Sequence, residues 1–365
     1  MGTPDFAVPS LRALIEAKHE VVGVFTQPDR PKGRGGKVQM SPVKELALAH
    51  GIPVYQPLKI RKDGLDNLAA LAPDLCVTAA FGQILSQEVL DVPRMGTVNV
   101  HASLLPRHRG SAPIQWAILT GDAVTGVTTM LTDKGIDTGD MLLRAETPIA
   151  AADTAGTLTA RLAELGAELL LETIRRLAMG DCPREKQDEA AMTYDPKLTK
   201  EMGELHFTDS TRQCLLRVRA MDPWPCAYAQ ALNGVLKVWQ AAEYHAKAER
   251  PGLVLHADQK HGLVISTLDG ALELMQVQAP NAKRLEARAY LRLDDEPCEA
   301  MLIVEFFEDA EEKLAALAGR NIGLRRMRTT DADEMNVVWN LRKAGLTLMT
   351  SCKGSAKPTE SIEDT

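Results

Sequence analysis

The chain has 365 residues, 45% of them hydrophobic and 25% charged, with 42 Lys and Arg against 49 Asp and Glu for a net charge of −7. This is the composition of an ordinary globular chain of two or three domains, and it excludes a general affinity for nucleic acid while leaving room for a local basic patch. No uninterrupted apolar run of about 18 residues occurs, since Asp66, Pro73, Asp74 and Gln83 break the stretch 65–85, so no membrane-spanning helix is expected.

At the start, Met1 is followed by Gly2-Thr3-Pro4-Asp5 with no basic or apolar leader, which points to a cytoplasmic protein. In chain order the pattern then predicts a helix at 5–18, a strand at 21–25, a buried strand at 75–80 (Leu-Cys-Val-Thr-Ala-Ala), a helix at 83–90 and a strand at 97–101. A helix at 112–120, strands at 127–131 and 141–144, and a long amphipathic helix at 158–178 follow. Helices alternating with short strands predict an α/β domain over residues 1–182, a Rossmann-like parallel sheet covered by helices. Residues 183–205 are polar and aperiodic and read as a linker over the surface. A helix at 208–220 precedes short alternating runs at 227–232, 235–242, 252–256, 262–267 and 272–278. That pattern, over residues 206–292, predicts a small β-barrel of oligonucleotide-binding-fold (OB-like) size. From residue 293 to 365 the style changes again, with an acidic strand–helix stretch, the basic run Arg325-Arg326-Met327-Arg328 and a helix around 334–344, an appended α+β fragment.

The chemistry concentrates at the end of the third strand. Asn99 and His101 are two apart and project to the same face, near the carboxyl end of a strand, where ligands of α/β sheets bind. A single histidine at a strand end is more often structural or at the surface. The context is richer: the loop Ser103-Leu104-Leu105-Pro106-Arg107-His108-Arg109-Gly110 offers several donors, and Asp133-Lys134-Gly135-Ile136-Asp137-Thr138-Gly139-Asp140 brings three carboxylates and two glycines, either a tight polar turn or part of a site. Asn, His and Asp together could bind an amine and polarise a carbonyl. The six cysteines lie far apart with no C-x-x-C pair, which argues against a disulfide framework and a zinc site.

The run Asn99-Val100-His101-Ala102-Ser103-Leu104-Leu105-Pro106, taken with the Asp133–Asp140 loop, resembles the folate-dependent formyltransferases. Gly2-Thr3-Pro4-Asp5-Phe6-Ala7, Gln27-Pro28-Asp29-Arg30-Pro31-Lys32-Gly33, Ser41-Pro42-Val43-Lys44, Lys197-Leu198-Thr199-Lys200 and Pro223-Trp224-Pro225 extend the likeness over residues 1–292 and narrow it to the methionyl-tRNA formyltransferases. The resemblance implies that Asn99, His101 and Asp137 are catalytic. It implies transfer of the formyl group of 10-formyltetrahydrofolate to the α-amino group of methionyl initiator tRNA, by a monomer, without a metal. Ser103, Leu104, Leu105 and Pro106 correspond to the family's folate-contacting loop, and Phe81, Gly82 and Ile84 to its pterin-side segment. Phe81 and Ile84 could equally be plain core residues. A formyltransferase acting on a small amine, such as glycinamide ribonucleotide or an amino sugar, is the alternative within the fold, and an inactive fusion or truncated relic the alternative outside it.

Between Pro28 and Lys44 the residues Arg30, Lys32, Arg34, Lys37 and Lys44 make a positive, Gly-rich loop in an acidic chain. The resemblance implies that this loop meets the tRNA acceptor end, chiefly through phosphates. A second basic group, Lys197, Lys200, Arg217, Arg219, Lys237, Lys283 and Arg284, belongs to the barrel half. Two departures stand out. The family usually carries a short apolar strand before the Gly-Thr-Pro-Asp turn, whereas this chain begins at that turn, so a central strand is expected to be missing from the sheet. The residues after 292 do not continue the family but resemble a fragment of the FAD-linked oxidases, through 300–306, Val338-Trp339-Asn340-Leu341-Arg342 and Lys353-Gly354-Ser355-Ala356-Lys357-Pro358. No flavin-binding domain accompanies the fragment, and no FAD is expected.

Overall fold

The computed structural model describes residues 1–32, 37–231 and 234–291, so the oxidase-like fragment expected at 293–365 lies outside the described residues. The chain divides into two compact units, Met1–Leu198 and a second beginning at Thr199.

In the first unit a 3-10 turn, Asp5–Ala7, leads into α1 (Val8–Glu16), which carries a proline in its first turn, where the missing N–H has no helical partner to lose. β1 (Val24–Phe25) is followed by β2 (Arg30–Lys32) and β3 (Lys37–Gln39), which pair antiparallel; the basic loop is thus a two-stranded hairpin. α2 (Pro42–Ala49) starts where the Ser41 hydroxyl accepts the Lys44 N–H and proline opens the helix, and β4 (Val54–Tyr55) pairs parallel with β1. Then come α3 (Leu65–Leu71), β5 (Cys76–Thr78), α4 (Gln87–Leu90), β6 (Thr97–His101), β7 (Arg109–Gly110) and α5 (Pro113–Leu119). β8 (Val124–Leu131), β9 (Met141–Pro148), α6 (Ala155–Met179) and β10 (Tyr194–Asp195) complete the unit. Thr154 and Thr157 cap α6 reciprocally, and Leu158, Leu162 and Leu170 are fully buried along it.

The sheet is mixed rather than wholly parallel. β5 and β6 run parallel, but β6–β8 and β8–β9 are antiparallel, the last pair being joined by a turn too short for a crossover helix. Between β1 and β5 one rung is supplied by the start of the chain. Gly2 N–H donates to the Phe25 carbonyl at 3.0 Å, Ala79 N–H donates to the Met1 carbonyl at 3.0 Å, and the Met1 amino group donates to the Val77 carbonyl at 2.7 Å. Burial pushes the pKa of that amino group down to about 6. Below the rung lies a cavity of about 630 Å³, walled by Val21, Val22 and Gly23 on one side and Leu75 and Val77 on the other. Val21, Val22 and Gly23 have no ladder partner there, which is why the strand predicted at 21–25 is observed only at Val24–Phe25.

The second unit opens with α7 (Thr211–Met221), where Ser210 and Gln213 form a reciprocal cap. Its strands are β11 (Ala227–Ala231), β12 (Gly234–Tyr244), β13 (Val254–Asp258), β14 (Gly262–Ser266), β15 (Ala271–Gln278) and β16 (Leu285–Glu286), followed by α8 (Ala287–Tyr290). They form one antiparallel sheet in the order β11-β12-β15-β14-β13, with β16 on β15. The register of β12 shifts on either side of Gln240, a bulge that bends this long strand so that it serves two neighbours. Val238, Leu263, Ile265, Leu272, Leu274 and Val277 are its buried face. Among the described residues no helix is long and apolar enough to cross a membrane.

Candidate active site

β6 presents Val98 and Val100 to the interior under α6 and turns Asn99 and His101 to the opposite face, as its period of two requires. The Asn99 side-chain oxygen accepts the Thr78 hydroxyl from β5 at 3.0 Å, which leaves the amide nitrogen as the free end, 3.5 Å from Asp137 Oδ1. His101 is buried, and its Nε2 lies 2.8 Å from the His108 carbonyl. A carbonyl only accepts, so Nε2 carries the proton and Nδ1 is turned to Asp137, 3.6 Å from Oδ1. Asp137 itself has φ +54° and accepts the Gly110 N–H on Oδ2 at 2.9 Å. The structure therefore brings Asn99, His101 and Asp137 together from a strand and a loop far along the chain.

What fixes this arrangement comes from the segment expected to be a linker. β10 pairs in parallel with β7, His108 N–H donates to Thr193 Oγ1 at 2.7 Å, and Arg109 N–H donates to the Thr193 carbonyl at 2.9 Å. The His108 ring is buried between two carboxylates, Nδ1 at 2.9 Å from Asp195 and Nε2 at 3.0 Å from Asp122. Burial opposes its charge, but the bonds to Asp195 and Asp122 outweigh burial and raise its pKa above the ordinary value of 6.5. For Asp122 burial again opposes charge and is outweighed, chiefly by the His108 bond, so its pKa falls below 3.8. Arg109, only 3% exposed, is held in a two-pronged pair by Glu189 at 2.7 and 3.0 Å and by Gln187 at 2.8 Å. Gln187 also donates to the carbonyls of Asp137 and Gly139, tying the acidic loop to the same frame. The sequence reading named none of Asp122, Gln187, Glu189 or Asp195. The available signal was the run Arg107-His108-Arg109 beside the Asn99–Pro106 motif, since three basic side chains in so short a loop demand acids from elsewhere.

Ser103 is buried and donates to the Arg107 carbonyl at 2.7 Å, and Leu105 is buried beside Met130 and Met141, while Leu104 and Pro106 stay half-exposed. Phe81 packs in the core with Phe25, Ile60 and Leu68, but Ile84 is 77% exposed, so only the former is a core residue. The carbonyls of Phe81 and Gly82 both accept from Gln27 Nε2 at 3.2 Å. A cleft of about 540 Å³ is lined by Thr3, Gln27, Arg30, Met40, Phe81 and Gly82. It lies under the basic hairpin, which exposes Arg30 and Val38. Arg34 lies outside the described residues, as do the side chains of Lys32 and Lys37. Lys44, counted with the loop's free charge in the sequence, is committed to Asp29 and Gln56, and its bond lowers the Asp29 pKa. In the second unit the Arg284 guanidinium lies 3.6 Å from the centre of the Trp239 ring, and Lys237 Nζ is 5.9 Å away. Arg217 is paired with Asp209 at 2.7 Å.

The sequence matches the family described as formyl transferase over residues 1–174 and formyl transferase, C-terminal domain, over residues 197–294. It is 45% identical over 293 residues to the methionyl-tRNA formyltransferase of Clostridioides difficile strain 630, covering 80% of this chain and 95% of that one. The methionyl-tRNA formyltransferase of Symbiobacterium thermophilum is 47% identical over 294 residues, 80% of this chain and 90% of the relative. The chain belongs to the methionyl-tRNA formyltransferase family. The fold extends more widely. A sugar 3N-formyl transferase, WlaRD, whose crystal structure was determined in the presence of dTDP and 5-N-formyl-THF, superposes with a TM-score of 0.58 at 18% identity over 78% of this chain and 96% of its own. The first family region lies within the first unit and holds the site built on β6, and the second is described as far as residue 291.

Proposed function

We propose that the protein transfers the formyl group of 10-formyltetrahydrofolate to the α-amino group of methionyl initiator tRNA, with Asn99, His101 and Asp137 as the catalytic residues. The observation that carries the reading is their convergence: an amide nitrogen, an imidazole and a carboxylate within hydrogen-bond reach or nearly so, in a chain of this family. The amine attacks the formyl carbon, the carbonyl oxygen takes up charge in the tetrahedral adduct, and the bond from carbon to N10 breaks as one proton moves from the amine to N10. A free α-amino group has a pKa near about 8 and must shed a proton to attack. Asp137 is placed to share that proton with His101 Nδ1, while the Asn99 amide, and Nδ1 once it has taken the amine's proton, donate to the oxyanion; Nε2 stays on the His108 carbonyl. Thr78 supports this division, because with the Asn99 oxygen already engaged the amide can only donate.

Half-exposed Leu104 and Pro106, and Gly82 with exposed Ile84, are offered as the folate side, through backbone groups as much as side chains. Arg30 and the hairpin around it, rather than Lys44, supply the phosphate contacts to tRNA. The test is formyl transfer to methionyl initiator tRNA by the chain and by His101→Ala. Removal of one oxyanion donor is expected to lower kcat by about 10²–10³. Unchanged turnover in the variant, or equal kcat/KM for methionyl-tRNA and for a free amino sugar, overturns the reading.

A further inference from the structure

We propose that His256, Asp258 and His261 form a binding site for a divalent cation of the zinc and nickel class on the β13–β14 hairpin of the second unit. One ligand atom from each of the three lies within 4.8 Å of the others. The backbone explains how they meet. His256 and Asp258 are two apart on β13 and share a face, and His261 returns across the turn to stand immediately before β14. The carboxylate is fixed in advance by that turn, since Asp258 Oδ1 accepts the N–H of Lys260 at 2.9 Å and of His261 at 2.7 Å. The two imidazoles lie together, and His261 Nδ1 already rests 3.0 Å from both Asp258 oxygens, a contact that an ion would replace as the rings turn toward it. The two rings stack with centroids 4.5 Å apart and planes 26° from parallel, and Tyr244 packs its ring against His256 at 5.6 Å. All three side chains are half-buried, so they are both ordered by neighbours and reachable from solvent.

The donor set selects the ion. Two imidazole nitrogens and one carboxylate oxygen suit borderline late transition ions, whereas magnesium and calcium take mainly oxygen ligands. Three protein ligands leave the remaining positions to water. Binding releases any imidazole proton to solvent and changes no oxidation state. Its structural effect is to clamp β13 to β14 across the turn at one edge of the sheet. The catalytic reading above takes no part in this, because every ligand belongs to the second unit, whereas Asn99, His101 and Asp137 belong to the first.

The experiment is calorimetric titration of the full chain with zinc chloride and, separately, nickel chloride, after blocking thiols, because the partly exposed Cys182 would otherwise compete for zinc. One equivalent should bind, and the metal should raise the Tm of the chain. His256→Ala and His261→Ala should each weaken binding by at least about tenfold, since even loss of a supporting partner costs 10–100-fold. Asp258→Asn should weaken it while also loosening the turn, so its metal-free Tm is measured beside it. His261→Asn, which keeps a polar side chain at the turn, serves if the alanine variant fails to fold. A chain that binds neither ion, or histidine variants that bind as the parent does, overturns the proposal.

Discussion

Gly110→Ala puts the dependence of the site on its backbone frame to the test. Gly110 has φ +114°, and a Cβ there would lie 2.3 Å from the Asp195 carbonyl oxygen, a main-chain atom that cannot rotate away. Relief requires β7 to draw back from β10, and the Gly110 N–H that donates to Asp137 Oδ2 at 2.9 Å moves with it. Backbone strain at such a position costs about 1–3 kcal/mol, and a hydrogen bond to a charged group about 1.5–3 kcal/mol. Together that is about 2.5–6 kcal/mol against a typical total stability of about 5–15 kcal/mol. Urea unfolding should show a lower midpoint with the slope kept, and formyl transfer measured where the variant is fully folded should show kcat down by about 10–100-fold, the share that belongs to a displaced Asp137. Gly51→Ala is the control. Its φ is +68° with nothing within 4 Å of the added Cβ, so it should cost about 1–2 kcal/mol and leave kcat alone. If Gly110→Ala matches the parent in both midpoint and kcat, or if the two variants behave alike, the coupling drawn here is wrong.

Asp137→Asn should lower kcat by about 10²–10³, whereas Asp133→Asn should act on stability, because Asp133 accepts from Gly135 N–H at 3.0 Å and the Thr138 hydroxyl at 2.6 Å; equal rate losses at 133, 137 and 140 would sink the assignment. His108 has its pKa raised above 6.5, so its contribution to stability is complete below 6.5 and disappears as pH rises through the folded value, while Asp122, lowered below 3.8, contributes above 3.8 and fails as pH falls through its folded value. A urea midpoint that declines on the alkaline side should therefore lose that decline in His108→Gln, and an identical profile in the variant refutes the imidazolium. Arg30→Ala should reduce the salt dependence of tRNA binding by a slope of about 1, and Lys44→Ala should instead lower stability through the Asp29 and Gln56 bonds, with the tRNA slope unchanged. Adding an apolar, β-branched segment of about five residues before Met1 should fill the 630 Å³ slot and raise Tm, since each Val or Ile so buried contributes about 1.5–3 kcal/mol before ordering costs; no rise would mean that the slot is not strand-shaped.

Much of the secondary structure was legible because periodicity is local. The strand at 97–101 is observed at Thr97–His101, the strand runs of the second unit reappear within a few residues, and the long helix extends only slightly beyond 158–178 to Ala155–Met179. The Rossmann-like α/β domain was legible, but not the antiparallel pairing of β8 with β6 and β9, because hydrophobic pattern reports burial and not the direction of a neighbour. The strand at 21–25 was too long for a different reason: its apolar residues are right, but a strand also needs a partner. The convergence of Asn99, His101 and Asp137 rested on the family resemblance, which spacing alone did not supply. The buried acids around His108 were invisible, since Asp195 looks like any polar residue of an aperiodic stretch until β10 is seen beside β7.

The tie between His108 and Asp195, 87 positions apart, also sets when the site can exist during synthesis. Asn99, His101 and the whole motif leave the ribosome well before the acid that seats His108, and at about 5–20 residues per second the gap lasts roughly 4–17 s. During that interval the nascent chain carries Asn99 and His101 beside an unbuttressed loop. Competence for formyl transfer therefore arrives as a late event of translation, timed by the emergence of the stretch around residue 195 and not by that of the motif.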